Sequence, residues 1–356
     1  MPFFRTKGIA ITGIAASVPS NRLDAEMLKK QFNNAYIDKF VRTTGIAACH
    51  HTTDNQTAGD LGFVAAENLI SRKNIDRQEI GVLLFVSTSP DYRKPSTSSV
   101  LQKRLGITKD CACMDILHGC AGFIYGHQTM MAMMQTSASK YGLLILGETT
   151  SKVIDKNDKN VMMFGDAGAA IIYEKQSGIE NTTLLRTDGS RFKSLILPAG
   201  GFRELHPKKE YFIANDGKKY SKFNLYMDGM EIFSFSTHEV SESASEYLTK
   251  VGKEAEDYDI FACHQANRYI IQRLSKKINI SKEKVPVCLD RYGNTSSVSI
   301  PLLLCDYYGE RACGVKSILA CGFGIGLAWG VTSFEIDTNY IYPVIETDDF
   351  YEEGIL

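Results

Sequence analysis

The sequence lacks any hydrophobic run long enough to cross a membrane, which takes about eighteen consecutive apolar residues. Glycine, serine and proline interrupt the apolar stretch at residues 1–20. The 40 basic residues nearly balance the 41 acidic ones and leave a formal net charge of -1. A chain with so little excess charge has no global field that attracts nucleic acid or an anionic membrane. We therefore expect a cytoplasmic globular protein with no membrane span and no nucleic-acid partner.

A disulfide framework is also missing, because the nine cysteines are an odd number scattered through apolar stretches. Cys111 and Cys113 form a C-x-C pair, but no second Cys or His pair follows at the spacing of a zinc site. We expect reduced thiols, most of them small core residues, and no bound metal.

The chain of 356 residues is long enough for one large or two medium domains with buried cores. Short apolar runs rich in β-branched residues alternate with amphipathic stretches such as residues 60–72 and 240–251. This alternation is typical of an α/β fold around a buried sheet.

Four segments of the first half resemble four segments of the second half in the same order. The pairs are residues 81–89 with 258–267, 115–123 with 290–299, 142–148 with 316–324, and 165–174 with 322–331. Each match alone is weak, but their common order predicts an internal duplication. We place the two halves at residues 1–178 and 179–356. Polar insertions at residues 149–160 and 206–223 are predicted to be surface loops near the mouth of a site.

Cys120 follows a short apolar strand and precedes a helix-forming run rich in alanine and methionine. At such a turn, unpaired N–H groups and the positive end of the helix dipole stabilise a thiolate and lower its pKa. Small neighbours allow a substrate to approach and leave an N–H free as an oxyanion donor: Gly119, Ala121 and Gly122. The alternative is a buried structural cysteine. The turn favours a nucleophile.

His264 ends a strand of the second half, at the level of residues 87–89 in the first half, and Asn294 lies in a turn that matches the turn of Cys120. Taken alone, His264 could be a structural histidine and Asn294 a helix cap. The duplication instead predicts that two helix N-termini meet, one carrying a sulfur and the other an amide.

These motifs resemble the β-ketoacyl-acyl-carrier-protein synthase III family of the thiolase superfamily. The resemblance rests on Cys120 in DILHGCAGF, His264 in HQAN, Asn294 in DRYGNTSS and the glycine turn at residues 322–330. It covers the chain from about residue 8 to about residue 334. It implies a five-layered αβαβα fold with two duplicated halves, a homodimer, and acyl-carrier-protein or acyl-CoA substrates without a further cofactor.

The resemblance also implies a reaction. Cys120 takes up an acyl group as a thioester, and a malonyl-carrier thioester then loses carbon dioxide to give an enolate that attacks it. His264 and Asn294 donate hydrogen bonds to the enolate oxygen, and the N–H groups of Cys120 and Ile325 hold the oxyanion of acyl transfer. One alternative is acyl transfer to an alcohol, amine or sugar without decarboxylation. Another is a non-catalytic dimer partner, although such partners usually lack the nucleophile.

Two related chemistries lack their residues in this chain. The second catalytic cysteine of the thiolases would align one residue away from Cys321, and one residue along a strand turns a side chain to the opposite face. The catalytic glutamate of HMG-CoA synthases would fall near residues 88–96, which contain no glutamate. The chain does have the histidine and asparagine of the decarboxylating enzymes, His264 and Asn294.

The sequence does not identify the acyl donor. Family members hold the CoA adenine with an aromatic residue and an arginine, where this chain has Lys39 and Thr43. They place an apolar residue at the partner subunit's acyl pocket where this chain has Lys94, which either lines that pocket or points to solvent. The substrate-binding positions that the resemblance implies are Phe323, Gly324, Lys94 and Asn267.

A basic run follows His264, with Arg273, Lys276 and Lys277 on one helix face at i, i+3 and i+4 spacing. In isolation such a run is a solvated face. The resemblance implies that these residues, together with Arg268, dock an acidic carrier protein. Chain length, pathway (fatty acid, secondary metabolite or polysaccharide) and the acidic tail receive no assignment.

Overall fold

The structure, a computed structural model, describes residues 2–157, 161–214 and 216–355. The strands are β1 (Phe3–Pro19), β2 (Arg22–Asp24), β3 (Ala48–His50), β4 (Ile80–Val86), β5 (Ala112–Ile116), β6 (Tyr141–Glu148), β7 (Ala167–Thr187), β8 (Leu195–Ile196), β9 (Tyr211–Ile213), β10 (Lys219–Ser221), β11 (Tyr226–Met227), β12 (Ile260–Cys263), β13 (Val315–Gly324), β14 (Ala328–Asp337) and β15 (Ile345–Thr347). The α-helices are α1 (Ala25–Lys29), α2 (Asn34–Thr44), α3 (Ala58–Lys73), α4 (Thr97–Arg104), α5 (Gly122–Thr136), α6 (Gly229–Thr237), α7 (Glu239–Val251), α8 (Arg268–Lys277), α9 (Leu289–Tyr292) and α10 (Ser299–Tyr308).

A nine-stranded sheet runs through the molecule in the order β12-β13-β14-β7-β6-β4-β5, with β1 paired to β7 and β15. The long strands β1 and β7 run antiparallel, from the pair Phe3 and Leu184 to the pair Ser17 and Gly168. β7 pairs with β6 in its first part and with β14 in its second part. β7 therefore joins the sheet of the first half to that of the second.

Each half repeats the same strand pairing. In the first half, β4 is parallel to β6, which is antiparallel to β7. In the second half, β12 is parallel to β13, which is antiparallel to β14. This repetition confirms the two duplicated halves. The chain passes from one to the other inside β7, and the position of the boundary at residue 178 stays a prediction.

Helices cover both sheets and separate them. α3 and α4 contact the outer side of the first sheet, and α6 and α7 contact the outer side of the second. α5 and α10 lie between the sheets, where α5 contacts both β4 and β13. The layers are thus α3 and α4, sheet, α5 and α10, sheet, α6 and α7. The predicted five-layered αβαβα fold is confirmed.

The side chains of β4 show why its sequence is apolar throughout. Leu84 and Val86 belong to the hydrophobic cluster between the sheets, whereas Leu83 and Phe85 belong to the cluster under α3. A strand that is buried on both faces needs apolar residues at every position instead of an alternating pattern. The turns at the ends of these central helices and strands therefore adjoin a fully buried core.

All nine cysteines are free thiols, as predicted. Six are buried: Cys49, Cys120, Cys263, Cys288, Cys305 and Cys321. Within the described residues, no group of three or more His, Cys, Asp or Glu side chains is arranged to hold a metal ion. None of the described helices is both long enough and apolar enough to span a membrane.

Candidate active site

Cys120 lies in the turn between β5 and α5, just before Gly122, the first residue of the helix. The backbone N–H groups of Ile325 and of Cys120 itself point to its sulfur. The predicted placement at a strand-to-helix turn is confirmed, and the two N–H groups are those expected for an oxyanion site.

The predicted low pKa of the Cys120 thiol is wrong. Burial raises the pKa of this thiol to about 11, and the charge of Glu148 acts in the same direction. The contact with the hydroxyl of Ser296 and the N–H groups of Ile325 and Cys120 lower the pKa by less than burial raises it. Desolvation therefore outweighs the helix terminus. A thiol with this pKa is protonated at neutral pH, so it needs a proton acceptor if it is to act as a nucleophile.

Two glycines make room for this turn. A Cβ atom at Gly324 would lie 2.8 Å from the sulfur of Cys120, and one at Gly119 would lie 2.5 Å from Cγ2 of Ile325. Neither distance is compatible with non-bonded contact. The glycines thus let the turn that carries Cys120 and the β13–β14 turn approach each other.

His264 follows the last residue of β12 and is only 1% exposed. Burial lowers the pKa of its imidazole to about 3, so the ring is neutral at neutral pH. Its Nδ1 lies 2.7 Å from Oγ of Ser299. When that hydroxyl donates to Nδ1, the ring proton resides on Nε2. The ring of Phe323 packs against the imidazole edge to face, with the centroids 5.3 Å apart.

Asn294 is held by its backbone and by one side-chain atom. Its N–H donates to the carbonyl of Met163 at 2.9 Å, and its own carbonyl accepts from the N–H of Gly165 at 3.1 Å. Side-chain Oδ1 accepts from the N–H of Ser296 at 3.0 Å, which leaves the NH₂ group as a donor. α10 has Val298 as its N-cap, so Asn294 is not the cap of that helix.

Two cavities meet at Cys120. The smaller, about 80 Å³, contains the predicted triad and three of the predicted substrate-binding residues: Cys120, His264, Asn294, Phe323, Gly324 and Asn267. The larger, about 170 Å³, has a mostly apolar lining that includes Val153, Leu195, Leu197, Leu225 and Ile325. One cavity thus offers hydrogen-bond donors beside the sulfur, and the other offers an apolar space.

The two polar insertions differ from each other. Thr150 and Val153 of the first line the apolar cavity, which places this insertion near the site as predicted; its residues 158–160 lie outside the described residues. The second insertion, residues 206–223, contains the paired strands β9 and β10 and is therefore not only a loop.

Lys94 lies apart from both cavities at Cys120. Its side chain is exposed and borders a separate cavity of about 320 Å³ that also contacts Arg93 and Leu117. Lys39 and Thr43 lie on the exposed face of α2, where the hydroxyl of Thr43 donates to the carbonyl of Lys39 at 2.9 Å. The parts of these three residues in substrate choice stay predictions.

The basic residues of α8 lie beside the site. Asn267 caps this helix through its Oδ1, which accepts from the N–H of Ile270 at 2.9 Å, and both residues line the smaller cavity. The helix buries Ile270, Ile271 and Leu274. Its predicted docking residues are all exposed: Arg268, Arg273, Lys276 and Lys277.

Sequence reasoning missed two residues next to Cys120. Glu148, the last residue of β6, is fully buried and accepts hydrogen bonds from the hydroxyls of Thr88 at 2.7 Å and Ser296 at 3.4 Å. Oγ of Ser296 lies 3.8 Å from the sulfur of Cys120. The only signal in the sequence was an acidic residue at the end of an otherwise apolar strand.

Known proteins are similar to this chain over most of its length. A family model for 3-oxoacyl-[acyl-carrier-protein (ACP)] synthase III matches residues 114–189, and a model for the C-terminal part of the same enzymes matches residues 248–336. A β-ketoacyl-[acyl-carrier-protein] synthase III of Natranaerobius thermophilus is 33% identical over 333 residues, which are 90% of this chain and 97% of the relative. The chain belongs to the β-ketoacyl-acyl-carrier-protein synthase III family.

Two further members of the β-ketoacyl-acyl-carrier-protein synthase III family are similar to this chain, one in sequence and one in structure. A Rhodopirellula baltica relative of the same name is 34% identical and covers 92% of this chain and 98% of its own length. A crystal structure of a 3-oxoacyl-(acyl-carrier protein) synthase from Burkholderia xenovorans has a TM-score of 0.91 at 34% identity and covers 97% of this chain and 99% of that one. The family that the motifs indicated is confirmed, and it places this chain among the acyltransferases.

Proposed function

We propose that this synthase III family member transfers an acyl group to Cys120 and then condenses it, with decarboxylation, with a malonyl-acyl-carrier-protein. The observation that carries the proposal is that Cys120, His264 and Asn294 line the same cavity. Thiol, neutral imidazole and amide are the nucleophile and the two donors that the reaction requires.

Acyl transfer uses the turn that carries Cys120. The sulfur attacks the carbonyl carbon of an acyl thioester, and the carbonyl oxygen gains negative charge. The N–H groups of Cys120 and Ile325 both point to the sulfur, so they are placed to donate to an oxygen on the attacked carbon. Removing one such donor typically costs about a hundredfold or more in rate. Expulsion of the carrier or CoA thiol leaves the acyl group on Cys120.

Decarboxylation uses the second half of the chain. The malonyl carboxylate leaves as carbon dioxide, and its electron pair forms an enolate whose oxygen needs donors. Nε2–H of His264 and the NH₂ of Asn294 supply them, because Ser299 occupies Nδ1 and Ser296 occupies Oδ1. The low pKa of His264 keeps the imidazole neutral. The neutral ring donates its Nε2–H to the enolate oxygen as a hydrogen bond and has no second proton to transfer. The enolate carbon then attacks the acyl group, and the sulfur of Cys120 leaves.

The apolar cavity beside Cys120 is the proposed acyl pocket. Its volume of about 170 Å³ suits a short to medium apolar chain better than a long one. Leucine and valine side chains make up much of its lining, and burying each CH₂ of an acyl chain there is worth about 0.8 kcal/mol. Within this proposal, the reaction uses only side chains and backbone of the protein, without a metal or organic cofactor.

The substrates and the partner subunit are proposed to approach at two places. The basic face of α8 would dock the acidic carrier protein, because the helix starts at the cavity that holds the triad. A homodimer would form across β5, the edge strand of the large sheet. Next to this edge, the apolar side chains of Met114 and Leu117 are 40% and 77% exposed. A sheet edge with exposed apolar residues favours pairing with another chain.

The test is a condensation assay with the purified protein, malonyl-acyl-carrier-protein and a panel of short acyl donors. We expect equal amounts of carbon dioxide and a β-ketoacyl product. Cys120→Ala abolishes both, whereas Cys313→Ala, which removes an exposed thiol elsewhere, preserves both. Full condensing activity in Cys120→Ala would refute the proposal. Product formed without carbon dioxide would instead support acyl transfer to an alcohol, amine or sugar.

A further inference from the structure

Glu148 is a buried acid that the proposed reaction does not yet use. It is 0% exposed, and burial raises the pKa of its carboxyl to about 7. A carboxyl at such a position is costly to bury as an anion unless donors surround it. Donors do surround it: the N–H and hydroxyl of Thr88, and the hydroxyls of Ser89 and Ser296.

A chain of hydrogen-bonding atoms connects this carboxyl to the nucleophile. Oγ of Ser296 lies 3.4 Å from Oε1 of Glu148 and donates to it. The same Oγ lies 3.8 Å from the sulfur of Cys120. Because the Ser296 proton points to Glu148, an oxygen lone pair is left to accept from the thiol. Such contacts are often long in a free enzyme and shorten when substrate binds.

Ser296 is fixed between the two groups by its backbone. Its φ of 50° lies in the left-handed region, which a residue other than glycine adopts rarely. Its N–H donates to Oδ1 of Asn294 at 3.0 Å. A non-glycine residue held in this conformation next to reacting groups is commonly a functional one. The conformation aims the Ser296 hydroxyl at both Cys120 and Glu148.

His264, a basic group that lines the smaller cavity, is a weaker proton acceptor than Glu148. Burial lowers the pKa of His264 to about 3, so its imidazole holds a proton less tightly than Glu148 does. Efficient proton acceptors have a pKa near the working pH. Of these two groups, Glu148 therefore matches the need of the buried thiol better.

We propose that Glu148 accepts the proton of the Cys120 thiol through the hydroxyl of Ser296 during acyl transfer. Glu148 does not touch the sulfur and acts through Ser296, so it is a positioning residue and not a catalytic one. The inference rests on the proposed role of Cys120 as the nucleophile. As the sulfur forms its bond to the acyl carbon, the thiol proton moves to Ser296 and the Ser296 proton moves to Glu148. The leaving thiolate then takes up a proton, which Glu148 returns by the same route or solvent supplies.

Neighbours on three segments interact with the carboxyl of Glu148: the segment of Thr88, the segment of Ser296 and Ser297, and the turn of Cys120. After burial, the pKa is shaped by the hydroxyl of Thr88, the hydroxyl of Ser297, the N–H of Thr88 and the hydroxyl of Ser296, all of which lower it. The Cys120 thiol is a titratable group on which the charge of Glu148 acts. Lys152, four residues after Glu148, donates to the carbonyl of Asp54, and Asp166, just before β7, accepts from Ser151.

The test measures how fast Cys120 is acylated by p-nitrophenyl hexanoate, an activated ester, between about pH 5.5 and about pH 10. The wild-type rate is expected to rise with pH and to bend to a plateau near the pKa of Glu148. Glu148→Gln removes the bend, and the rate at neutral pH falls about tenfold or more. Acylation is followed as the mass added at Cys120, with Cys120→Ala as the blank. An unchanged bend in Glu148→Gln would overturn the proposal.

Two further comparisons separate proton transfer from mere structural support. Ser296→Ala keeps Glu148 but interrupts the relay, so the bend is lost there too. Thr88→Val removes a donor to the charged carboxylate and moves the bend to higher pH by about one unit, whereas Thr88→Ser keeps the hydroxyl and the wild-type midpoint. A midpoint that is the same in Thr88→Val and Thr88→Ser contradicts the assignment of the bend to Glu148.

The outcome for this inference is distinct from that for the proposed function. If Cys120→Ala condenses as well as the wild type, the proposed function fails. If condensation requires Cys120 but Glu148→Gln and Ser296→Ala keep the wild-type pH profile, only the proton relay fails.

Discussion

The proposed reactivity of Cys120 depends on atoms within a few ångströms of its sulfur. Burial makes the thiol a weak acid, while the N–H groups of Cys120 and Ile325 offer an oxyanion site. The backbone of residues 323–326 passes so close that a side chain at Gly324 would collide with the sulfur. The proposed reaction at this residue therefore depends on contacts that come from distant parts of the chain.

Gly324→Ala is predicted to impair acyl transfer. The added Cβ would lie 2.6 Å from Cβ of Cys120 and 2.8 Å from its sulfur, so one of the two turns has to move. We expect acylation of Cys120 to slow at least about tenfold and stability to fall by about 1–3 kcal/mol. Gly229→Ala is the matched control, because nothing lies within 4 Å of a Cβ there. Equal acylation rates in the two variants would contradict the close approach.

Ser299→Ala is predicted to impair decarboxylation and to spare acylation. The hydroxyl of Ser299 is the partner of Nδ1 of His264, and its loss frees the imidazole to place its proton on either nitrogen. We expect carbon dioxide release to fall about tenfold, with the mass added to Cys120 unchanged. Ser299→Thr keeps a hydroxyl and should retain most of the rate. A parallel loss of both half-reactions would argue against this role.

At the scale of elements, the site lies where the turns that precede α5 and α10 meet. Each half supplies a strand, a turn and a central helix, and each turn carries one residue of the proposed catalytic set, Cys120 or Asn294. This juxtaposition could be predicted because the duplication relates the two turns and the motifs name their residues. The part that Glu148 plays could not, since no spacing in the sequence shows that the end of β6 faces the turn at Ser296.

The exposed basic face of helix α8 is predicted to bind the carrier protein. Its apolar residues are buried and its lysines are exposed, so a change at Lys276 alters charge without altering the core. Lys276→Glu is expected to raise KM for the malonyl-carrier substrate roughly fivefold and to leave kcat unchanged, because charge complementarity mainly governs association. Lys253→Glu reverses an exposed charge after α7 and serves as the control. Identical KM values in the two variants would exclude α8 as the docking surface.

The whole molecule is a continuous sheet with helices on both sides and between its halves, and most of that plan could be predicted from sequence. Apolar strands, the order of the repeated segments and the family motifs all indicated it. Quantities that depend on burial could not be predicted. The pKa of Cys120 was expected to fall, but desolvation raises it, because the depth of the turn follows from the packing of both halves.

Buried histidines are predicted to make the stability of the whole molecule depend on pH. Burial lowers the pKa of both His127 and His264 to about 3, below the ordinary value of 6.5. The unfolded chain then binds more protons than the folded one, so stability is lost as pH falls from about 6.5 towards 3, by up to about 1.4 kcal/mol per pH unit for each imidazole. The raised pKa of Glu148 acts in the opposite direction over part of this range.

A comparison of variants isolates one of these histidines. His127→Phe removes a titrating group from the aromatic cluster around Phe123 and Phe334, so the free energy of unfolding should fall less steeply with decreasing pH. His206→Phe, at an exposed position, should keep the wild-type slope. Denaturant unfolding at several pH values checks both, and equal slopes would contradict the account.

The most direct test of the central claim is intact-mass spectrometry of the protein after incubation with a panel of acyl-CoA and acyl-carrier donors, followed by malonyl-acyl-carrier-protein. The account predicts one acyl mass, located at Cys120, that disappears with release of carbon dioxide when the malonyl substrate is added. An acyl mass on another residue, or an equal mass on Cys120→Ala, would contradict it.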